Sequence, residues 1–245
     1  MAEKLNLLNH SKKTLDQNQI HIWKVNIDNP TLDLDDLFSD VLSDDERKRV
    51  DRLRSEKDKK RFIVSRGLLR KNLGSYLGAE PSDITFTYNK YGKPDIKPEH
   101  NPGNIKFNVS HSANLAIYAI SQNREIGIDL EYIREVRAAD KIIGRFFTQQ
   151  ETDFYYSQSE DKRELAFFTL WTRKEAYSKA RGMGIGLPSK EFDLNLVPTA
   201  EISTTDIKTE SKWSLIDIEI DEDYLAALAT EGNDIEICRF EFKTL

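Results

Sequence analysis

The sequence predicts an α+β fold with two pseudo-symmetric lobes, each a small antiparallel sheet packed with helices. Short runs in which apolar and polar residues alternate, as in strands, occur in both halves of the 245-residue chain. Two longer stretches, residues 56–77 and 161–181, instead repeat apolar residues at helical spacing. Because helices and neighbouring strand runs follow one another in a similar order in both halves, we expect two lobes with antiparallel sheets.

In the first half we expect one strand, two helices and three further strands. Alternation predicts the first strand at residues 19–27. Ser43-Asp-Asp-Glu46 matches a capping box, so a helix begins near Asp44. The following helix covers residues 56–77 and ends at Gly78. The remaining strands are predicted at residues 84–88, 105–109 and 115–121.

The second half begins with a predicted strand at residues 126–132. A second capping box, Thr148-Gln-Gln-Glu151, starts a helix that continues to residue 156. A longer helix covers residues 161–181 and stops at Gly182. Four more strands are predicted near residues 192–196, 213–220, 225–230 and 235–242. We therefore divide the chain into a flexible lead-in, 1–18, and two lobes, 19–124 and 125–245.

Composition restricts the class of protein. The net charge is −6, but residues 43–71 carry twelve Lys or Arg and six Asp or Glu, a local net charge of +6. A basic segment in an acidic chain indicates a local anionic partner and not general nucleic-acid binding. No apolar run approaches the length of a membrane span, and the first residues lack a signal-peptide pattern. With one cysteine in the chain, we expect a cytoplasmic protein that binds no membrane.

The first cluster that carries chemistry is Ile126-Gly-Ile-Asp-Leu-Glu131. Residues two apart on a strand point to the same face, so Asp129 and Glu131 project together. Two neighbouring carboxylates repel each other unless a cation or a basic group lies between them. A metal site and an ordinary solvent-facing strand both fit this pair taken alone.

The second cluster is Trp171-Thr-Arg-Lys-Glu-Ala-Tyr-Ser-Lys179, on the long helix. Glu175 and Lys179 are four residues apart and share an arc of about 80° with Phe168 and Trp171. A charged pair on an aromatic stripe needs partners, which the Asp129 and Glu131 face can supply through a shared cation. Oxygen ligands alone favour Mg²⁺ or Mn²⁺ over Zn²⁺. An amphipathic core helix with a surface salt bridge is the alternative.

A third motif, Asn108-Val-Ser-His-Ser112, ends a predicted strand. His111 can hydrogen-bond a phosphate and Ser110 can offer a hydroxyl group, although a structural histidine is the alternative. A Ser–His hydrolase is disfavoured, because adjacent strand residues point to opposite faces and the chain has no G-x-S-x-G turn. The glycines at 182–186 follow a helix and so do not form a phosphate-binding loop.

Together these motifs resemble the 4′-phosphopantetheinyl transferases. The 126–131 and 171–179 clusters are similar to the two signature motifs of that family. Tyr91-Gly-Lys-Pro94, Asn108-Val-Ser-His-Ser112 and Phe146-Phe-Thr-x-x-Glu151 resemble its larger Sfp-type subgroup. Each motif is weak alone, but all occur in order and at matching spacing, over residues 43–188.

The resemblance implies an α+β monomer with coenzyme A in the cleft between a CoA-binding first lobe and a second lobe that binds metal and carrier protein. The reaction would move 4′-phosphopantetheine from CoA to a serine of an acidic acyl or peptidyl carrier protein, releasing adenosine 3′,5′-bisphosphate. The implied metal ligands, for Mg²⁺ or alternatively Mn²⁺, are Asp129, Glu131 and Glu175. The implied cofactor contacts are Lys57, Arg61, Tyr91, Gly92, Lys93, Pro94, Asn108, Ser110, His111, Lys174 and Lys179.

In the mechanism that this implies, Glu175 takes the proton of the carrier serine, directly or through a metal-bound water. Lys179 stabilises or protonates the departing bisphosphate. His111 and Lys93 hold the phosphates. The basic and apolar segment 134–145 is expected to dock the carrier, unless it is an ordinary amphipathic helix. A metal-dependent nuclease or phosphodiesterase, and a catalytically silent interaction protein of the same fold, are the alternatives from other classes.

Overall fold

The computed structural model of this chain describes residues 13–30, 41–184, 201–205 and 212–242, the third of these ranges as backbone only. The helices are α1 (Asp44–Arg52), α2 (Glu56–Leu77), α3 (Ala139–Phe146), α4 (Gln149–Ser157) and α5 (Arg163–Ala180). The strands are β1 (Gln19–Asn26), β2 (Phe86–Tyr88), β3 (Pro94–Ile96), β4 (Ile105–Ser112), β5 (Leu115–Gln122), β6 (Ile126–Tyr132), β7 (Glu201–Thr205), β8 (Lys212–Ile218), β9 (Tyr224–Glu231) and β10 (Glu236–Glu241).

The predicted α+β class is confirmed, and α2 and β6 have the predicted bounds. The prediction missed β3 and β7, gave a helix in the region of α3 only as the alternative for the segment 134–145, and extended β2 by two residues. Strand β3 has only three residues and begins with a proline, so it shows no alternation to detect. The strand predicted at 192–196 lies outside the described residues. None of the helices in the described ranges combines the length and the apolar character that a bilayer span requires.

The strands form two four-stranded sheets and one hairpin. The first sheet has the order β10-β1-β5-β4, the second has the order β6-β9-β8-β7, and β2 pairs with β3. The β1–β10 pair is parallel and the other pairs are antiparallel. Strand β10 thus returns from the second half of the chain to the first sheet. The predicted division at 19–124 and 125–245 does not anticipate this return, and the division itself stays a prediction.

Three apolar clusters pack the helices and the two four-stranded sheets together. Helix α2 packs on the first sheet, where Leu68 and Leu73 are fully buried near Phe107. Helix α5 packs on the second sheet through residues such as Leu170. A third cluster joins the two sheets directly and includes Ile128 of β6. The sheets therefore lie between two helical layers, and the edge of one sheet meets the edge of the other.

Both predicted capping boxes are present, at Ser43 and at Thr148. At the first, Glu46 accepts a hydrogen bond from the Ser43 backbone at 2.9 Å. The same carboxylate also pairs with Arg66 and with the buried Arg70 of α2. One buried carboxylate thus both caps α1 and attaches it to α2. Helix α2 ends at Gly78, whose φ of 68° is the left-handed conformation that favours glycine.

Candidate functional site

The two sheets meet where the edge strand β4 faces the edge strand β6. In place of a backbone ladder, side-chain oxygens at alternate positions of β4 accept hydrogen bonds from backbone N–H groups of β6. The three pairs are Asn108 with Ile128 at 2.9 Å, Ser110 with Leu130 at 3.2 Å and Ser112 with Tyr132 at 3.0 Å. We call this contact the seam. It places the 108–112 motif directly against the first acidic motif.

The acidic side chains of β6 point away from the core between the sheets. Ile128 and Leu130 belong to that core. Asp129 and Glu131 lie on the opposite face, as strand alternation predicts. Asp129 is buried and Glu131 is half-buried. This face of β6 is the one covered by α5.

A close approach between β6 and α5 brings the two acidic motifs together. An added Cβ at Gly127 would lie 2.2 Å from the carbonyl oxygen of Ala176 and 2.2 Å from the backbone nitrogen of Ala180. Only glycine permits this contact, since real Cβ atoms do not approach backbone so closely. Glu175 and Lys179 flank the contact on α5, so the missing side chain at 127 positions both.

Lys179 connects the helix to the seam. Its ammonium nitrogen lies 2.6 Å from Asp129 Oδ1, 2.8 Å from Ser110 Oγ and 3.2 Å from the carbonyl oxygen of Ile128. The second carboxylate oxygen, Asp129 Oδ2, is buried and has no hydrogen-bond partner. A buried carboxylate oxygen without a partner is costly, so this atom calls for a further positive group.

The pKa of the Glu175 carboxyl group is suited to proton transfer. Burial, and after it the negative charge of Asp129, raises the pKa of Glu175 to about 7, with a smaller effect of Glu131 in the same direction. The ammonium of Lys179 opposes these effects without cancelling them. A carboxyl group with a pKa near neutrality gains and loses a proton readily at physiological pH.

These side chains also fit a divalent cation in their chemistry. Among the described residues, no three His, Cys, Asp or Glu side chains are grouped tightly enough to hold a metal as they stand. A cation would nevertheless be stabilised here, because Asp129 Oδ2 is buried without a hydrogen-bond partner. The donors are carboxylate oxygens, the ligands that Mg²⁺ and Mn²⁺ prefer.

A cavity of about 690 Å³ lies beside the seam, between β4 and the helices α1 and α2. Its size is that of a small-molecule site. It brings together six of the residues predicted to contact the cofactor: Arg61, Gly92, Pro94, Asn108, Ser110 and His111. Arg49 and Arg66 also line it. The basic segment 43–71 was the signal for these two arginines, but charge counting cannot say which helix face they occupy.

The basic side chains at and near this cavity differ in their contacts with the rest of the protein. Arg61 Nε donates to Asp28 Oδ1 at 2.7 Å, and its Nη2 donates to the other oxygen of the same carboxylate. This pairing holds the pKa of Asp28 below its usual range. Lys57 lies 3.7 Å from Asp28 and does not line the cavity. His111 is exposed at the cavity wall.

Five predicted cofactor contacts do not line this cavity: Lys57, Tyr91, Lys93, Lys174 and Lys179. Lys174 is buried in an ion pair with Glu151, at 2.8 Å. Lys93 donates to Glu125 at 2.8 Å and to the carbonyl oxygen of Ala180 at 2.7 Å. It therefore holds the β2–β3 hairpin to the end of α5. Tyr91 is exposed at the turn of that hairpin and does not line the cavity.

Comparison with known proteins identifies the family. Residues 29–123 match the profile described as 4′-phosphopantetheinyl transferase, N-terminal, and residues 125–229 match that of the 4′-phosphopantetheinyl transferase superfamily. The 4′-phosphopantetheinyl transferase HetI from Nostoc sp. (strain PCC 7120) is 37% identical over 219 residues, 89% of this chain and 90% of that protein. The chain belongs to the 4′-phosphopantetheinyl transferases.

Two further relatives are similar to this transferase. The 4′-phosphopantetheinyl transferase Sfp from Bacillus subtilis (strain 168) is 27% identical over 217 residues, 87% of this chain and 93% of that protein. The 4′-phosphopantetheinyl transferase gsp from Aneurinibacillus migulanus is 38% identical over 136 residues, 56% of this chain and 54% of that protein. The predicted similarity to the Sfp-type subgroup is confirmed.

Two residues of the site escaped the sequence prediction. Ser112 Oγ donates to Glu131 Oε2 at 3.1 Å, although the sequence predicts no individual role for this serine. Gly127 belongs to the first acidic motif, but the sequence predicts no role for it either. In both cases the signal is the contact with another strand or helix, which a single sequence does not display.

Proposed function

We propose that this transferase moves the 4′-phosphopantetheine group of coenzyme A to a serine of an apo acyl or peptidyl carrier protein and releases adenosine 3′,5′-bisphosphate. The observation that carries the proposal is that the cavity and the carboxylate cluster share two residues of β4. Ser110 and Ser112 line the 690 Å³ cavity and also hydrogen-bond Asp129 and Glu131. A phosphate-rich ligand in the cavity would therefore present a phosphate to the carboxylate cluster.

The cavity suits a ligand with several negative charges. Arg49, Arg61 and Arg66 supply guanidinium groups on one side, and His111 lies on β4. Guanidinium groups bind phosphate oxygens with charge-assisted hydrogen bonds. We assign CoA binding to this cavity, with Gly92 and Pro94 at its rim. The proposal leaves Lys93 and Lys174 outside the phosphate contacts, because neither lines the cavity and each ammonium pairs with a carboxylate elsewhere in the protein.

The chemistry follows from the residues of the cluster. Glu175, once ionised, accepts the hydroxyl proton of the carrier serine, and the serine oxygen forms a bond to the β-phosphorus of CoA while the phosphoanhydride bond to the departing bisphosphate breaks. We assign to Lys179 the stabilisation of the charge of the leaving group; its ammonium lies beside the carboxylate cluster, 2.6 Å from Asp129 Oδ1. A Mg²⁺ ion held by Asp129, Glu131 and Glu175 would neutralise phosphate charge and favour ionised Glu175.

The direct test incubates the protein with CoA, Mg²⁺ and an apo-carrier and measures the intact mass of the carrier. We expect the carrier to gain the mass of one phosphopantetheine group, with adenosine 3′,5′-bisphosphate as the second product. Hydrolysis of CoA without any change in the carrier would instead indicate a phosphodiesterase. No product with any of a fatty-acid, a polyketide and a peptide carrier would contradict the proposal.

Arg61→Ala should raise the KM for CoA by about tenfold with less effect on kcat, since it removes a guanidinium from the cavity but leaves the carboxylate cluster intact. Steady-state kinetics with CoA and with 3′-dephospho-CoA measure the effect. If Arg61 binds the 3′-phosphate, the penalty disappears with the dephospho substrate. Arg47→Ala, at an exposed position of α1 that does not line the cavity, is the control.

A second surface is suited to the carrier protein. A groove of about 460 Å³ is lined by Glu131 and by part of the segment 134–145, with Phe168 and Trp171 as its apolar wall. Arg137 lines the groove and is exposed, and Lys141 is an exposed residue of the same segment. The docking prediction for this segment thus gains support from its contact with the carboxylate Glu131. The segment includes α3, so the alternative of an amphipathic helix describes its conformation and leaves docking open.

Replacing Arg137 and Lys141 together by Glu should weaken carrier binding by about tenfold or more at low salt, because an acidic carrier would meet repulsion where it now meets attraction. The KM for the carrier, measured at low and at high salt, reports the effect, which added salt should reduce. The paired reversal of Lys212 and Arg239, on β8 and β10, is the control. An equal effect of the two double variants would remove the segment from the docking site.

A further inference from the structure

The hydroxyl group of Ser110 is fully occupied inside the protein. Its proton is donated to Asp129 Oδ1 at 3.0 Å. Its oxygen accepts hydrogen bonds from the Leu130 backbone at 3.2 Å and from Lys179 Nζ at 2.8 Å. A serine hydroxyl has one proton and two lone pairs, so all of its hydrogen-bonding capacity is used. The residue is itself buried. It has no hydroxyl capacity left for a phosphate.

Ser112 repeats the arrangement two residues further along β4. Its hydroxyl donates to Glu131 Oε2 at 3.1 Å and accepts the backbone N–H of Tyr132 at 3.0 Å. Each serine therefore holds one carboxylate of β6 and the backbone N–H of the residue that follows that carboxylate. Because the side-chain period of a strand is two, both attachments form only when β4 and β6 keep this register.

We infer that Ser110 and Ser112 are positioning residues that orient Asp129 and Glu131 for a divalent cation, and that they do not bind the phosphates of the substrate. The inference rests on the proposed function for the identity of the reaction. Its physical basis is that the two oxygens of the Asp129 carboxylate have different contacts. Ser110 and Lys179 both engage Oδ1, which leaves the buried Oδ2 as the atom directed at the cation.

The two serines lie on β4, in the first half of the chain, and the carboxylates that they hold lie on β6, in the second half. The strand that carries the serines also lines the CoA cavity. A hydroxyl that fixes a carboxylate from that strand therefore sets the distance between the cavity and the cation site. Groups that orient metal ligands typically change metal affinity or activity by about 10–100-fold when they are removed.

The test compares Ser110→Ala, Ser112→Ala and Ser112→Thr with the wild-type protein. Mn²⁺ binding is titrated without CoA by electron paramagnetic resonance, and kcat and the KM for CoA are measured separately. Thermal unfolding shows which variants are folded. Ser121→Ala is the matched control, since Ser121 is a buried β-strand serine whose hydroxyl donates to the carbonyl oxygen of Arg124 and touches no carboxylate of the site.

We expect each alanine variant to weaken Mn²⁺ binding by about tenfold and to lower kcat more than it raises the KM for CoA. Ser112→Thr, which keeps the hydroxyl, should restore binding, and Ser121→Ala should match the wild type. If Ser110→Ala does not fold, the Ser112 pair decides the question. Mn²⁺ affinity within about twofold of wild type in folded alanine variants, or a rise confined to the KM for CoA, would overturn the inference. Wild-type protein that binds Mn²⁺ but transfers no phosphopantetheine would refute the proposed function alone.

Discussion

Glu175→Gln should lower the rate of phosphopantetheine transfer by about 10²–10⁴-fold, because a neutral amide cannot accept the proton of the attacking serine. Glutamine matches glutamate in size, so the packing of α5 against β6 should persist. The measurement is the initial rate of holo-carrier formation at saturating CoA and Mg²⁺, followed by intact mass. Turnover equal to that of the wild-type protein would show that Glu175 is not the base.

The same variant should be more stable than the wild type at alkaline pH. The pKa of Glu175 is raised to about 7 in the folded protein, chiefly by burial, whereas the unfolded chain has the ordinary value of 4.5. Between pH 4.5 and about pH 7, Glu175 is ionised in the unfolded chain but still protonated in the folded protein, so folding stability falls as the pH rises. Above about pH 7 the stability stays at this reduced level. Removing the ionisable group should therefore add on the order of 3 kcal/mol near pH 8 and nothing below about pH 4.5.

Urea unfolding in metal-free buffer at the two pH values measures this difference. Metal must be absent, since a bound cation would favour the ionised form and mask the effect. Glu164→Gln, at an exposed position of the same helix, is the control for both activity and pH dependence. A Glu175→Gln protein less stable than the wild type near pH 8 would mean that the carboxylate is stabilised in the fold and not strained by it.

Sequence patterns predicted the elements whose signals are local. The capping boxes at Ser43 and Thr148 depend on residues three apart, and both are present. The alternation that separates Asp129 from Ile128 also survives in the structure. By contrast, the parallel pairing of β10 with β1 joins residues more than 200 positions apart, and nothing within either strand specifies its partner.

Sequence motifs predicted which segments meet at the candidate site, but not which contacts each side chain makes there. The resemblance placed Lys93 and Lys174 among the cofactor contacts because of their motifs. The structure engages both ammonium groups with carboxylates of the protein, Glu125 and Glu151. Which charge meets which depends on tertiary packing, and a lysine that binds a ligand looks the same in sequence as one that holds two elements together.

Gly127 is the clearest case of a role that packing alone reveals, and Gly127→Ala should be among the most damaging single substitutions in the chain. Its Cβ would overlap backbone atoms of Ala176 and Ala180, which cannot rotate away as a side-chain end can. Either β6 or α5 must move. We expect a loss of about 3 kcal/mol or more in the free energy of unfolding, measured by urea denaturation.

The rate of transfer per folded molecule should also fall in this variant, beyond what partial unfolding explains. A displaced α5 carries Glu175 and Lys179 away from Asp129, and proton transfer requires the groups within hydrogen-bond reach. Residual folded protein should therefore transfer phosphopantetheine slowly even where unfolding is suppressed by low temperature. Gly103→Ala is the control, because an added Cβ there meets only side-chain atoms, at 3.7 Å or more, and Gly103 lies outside the site and the docking segment. If Gly127→Ala were as stable and as active as Gly103→Ala, the close approach of α5 to β6 would not be what assembles the site.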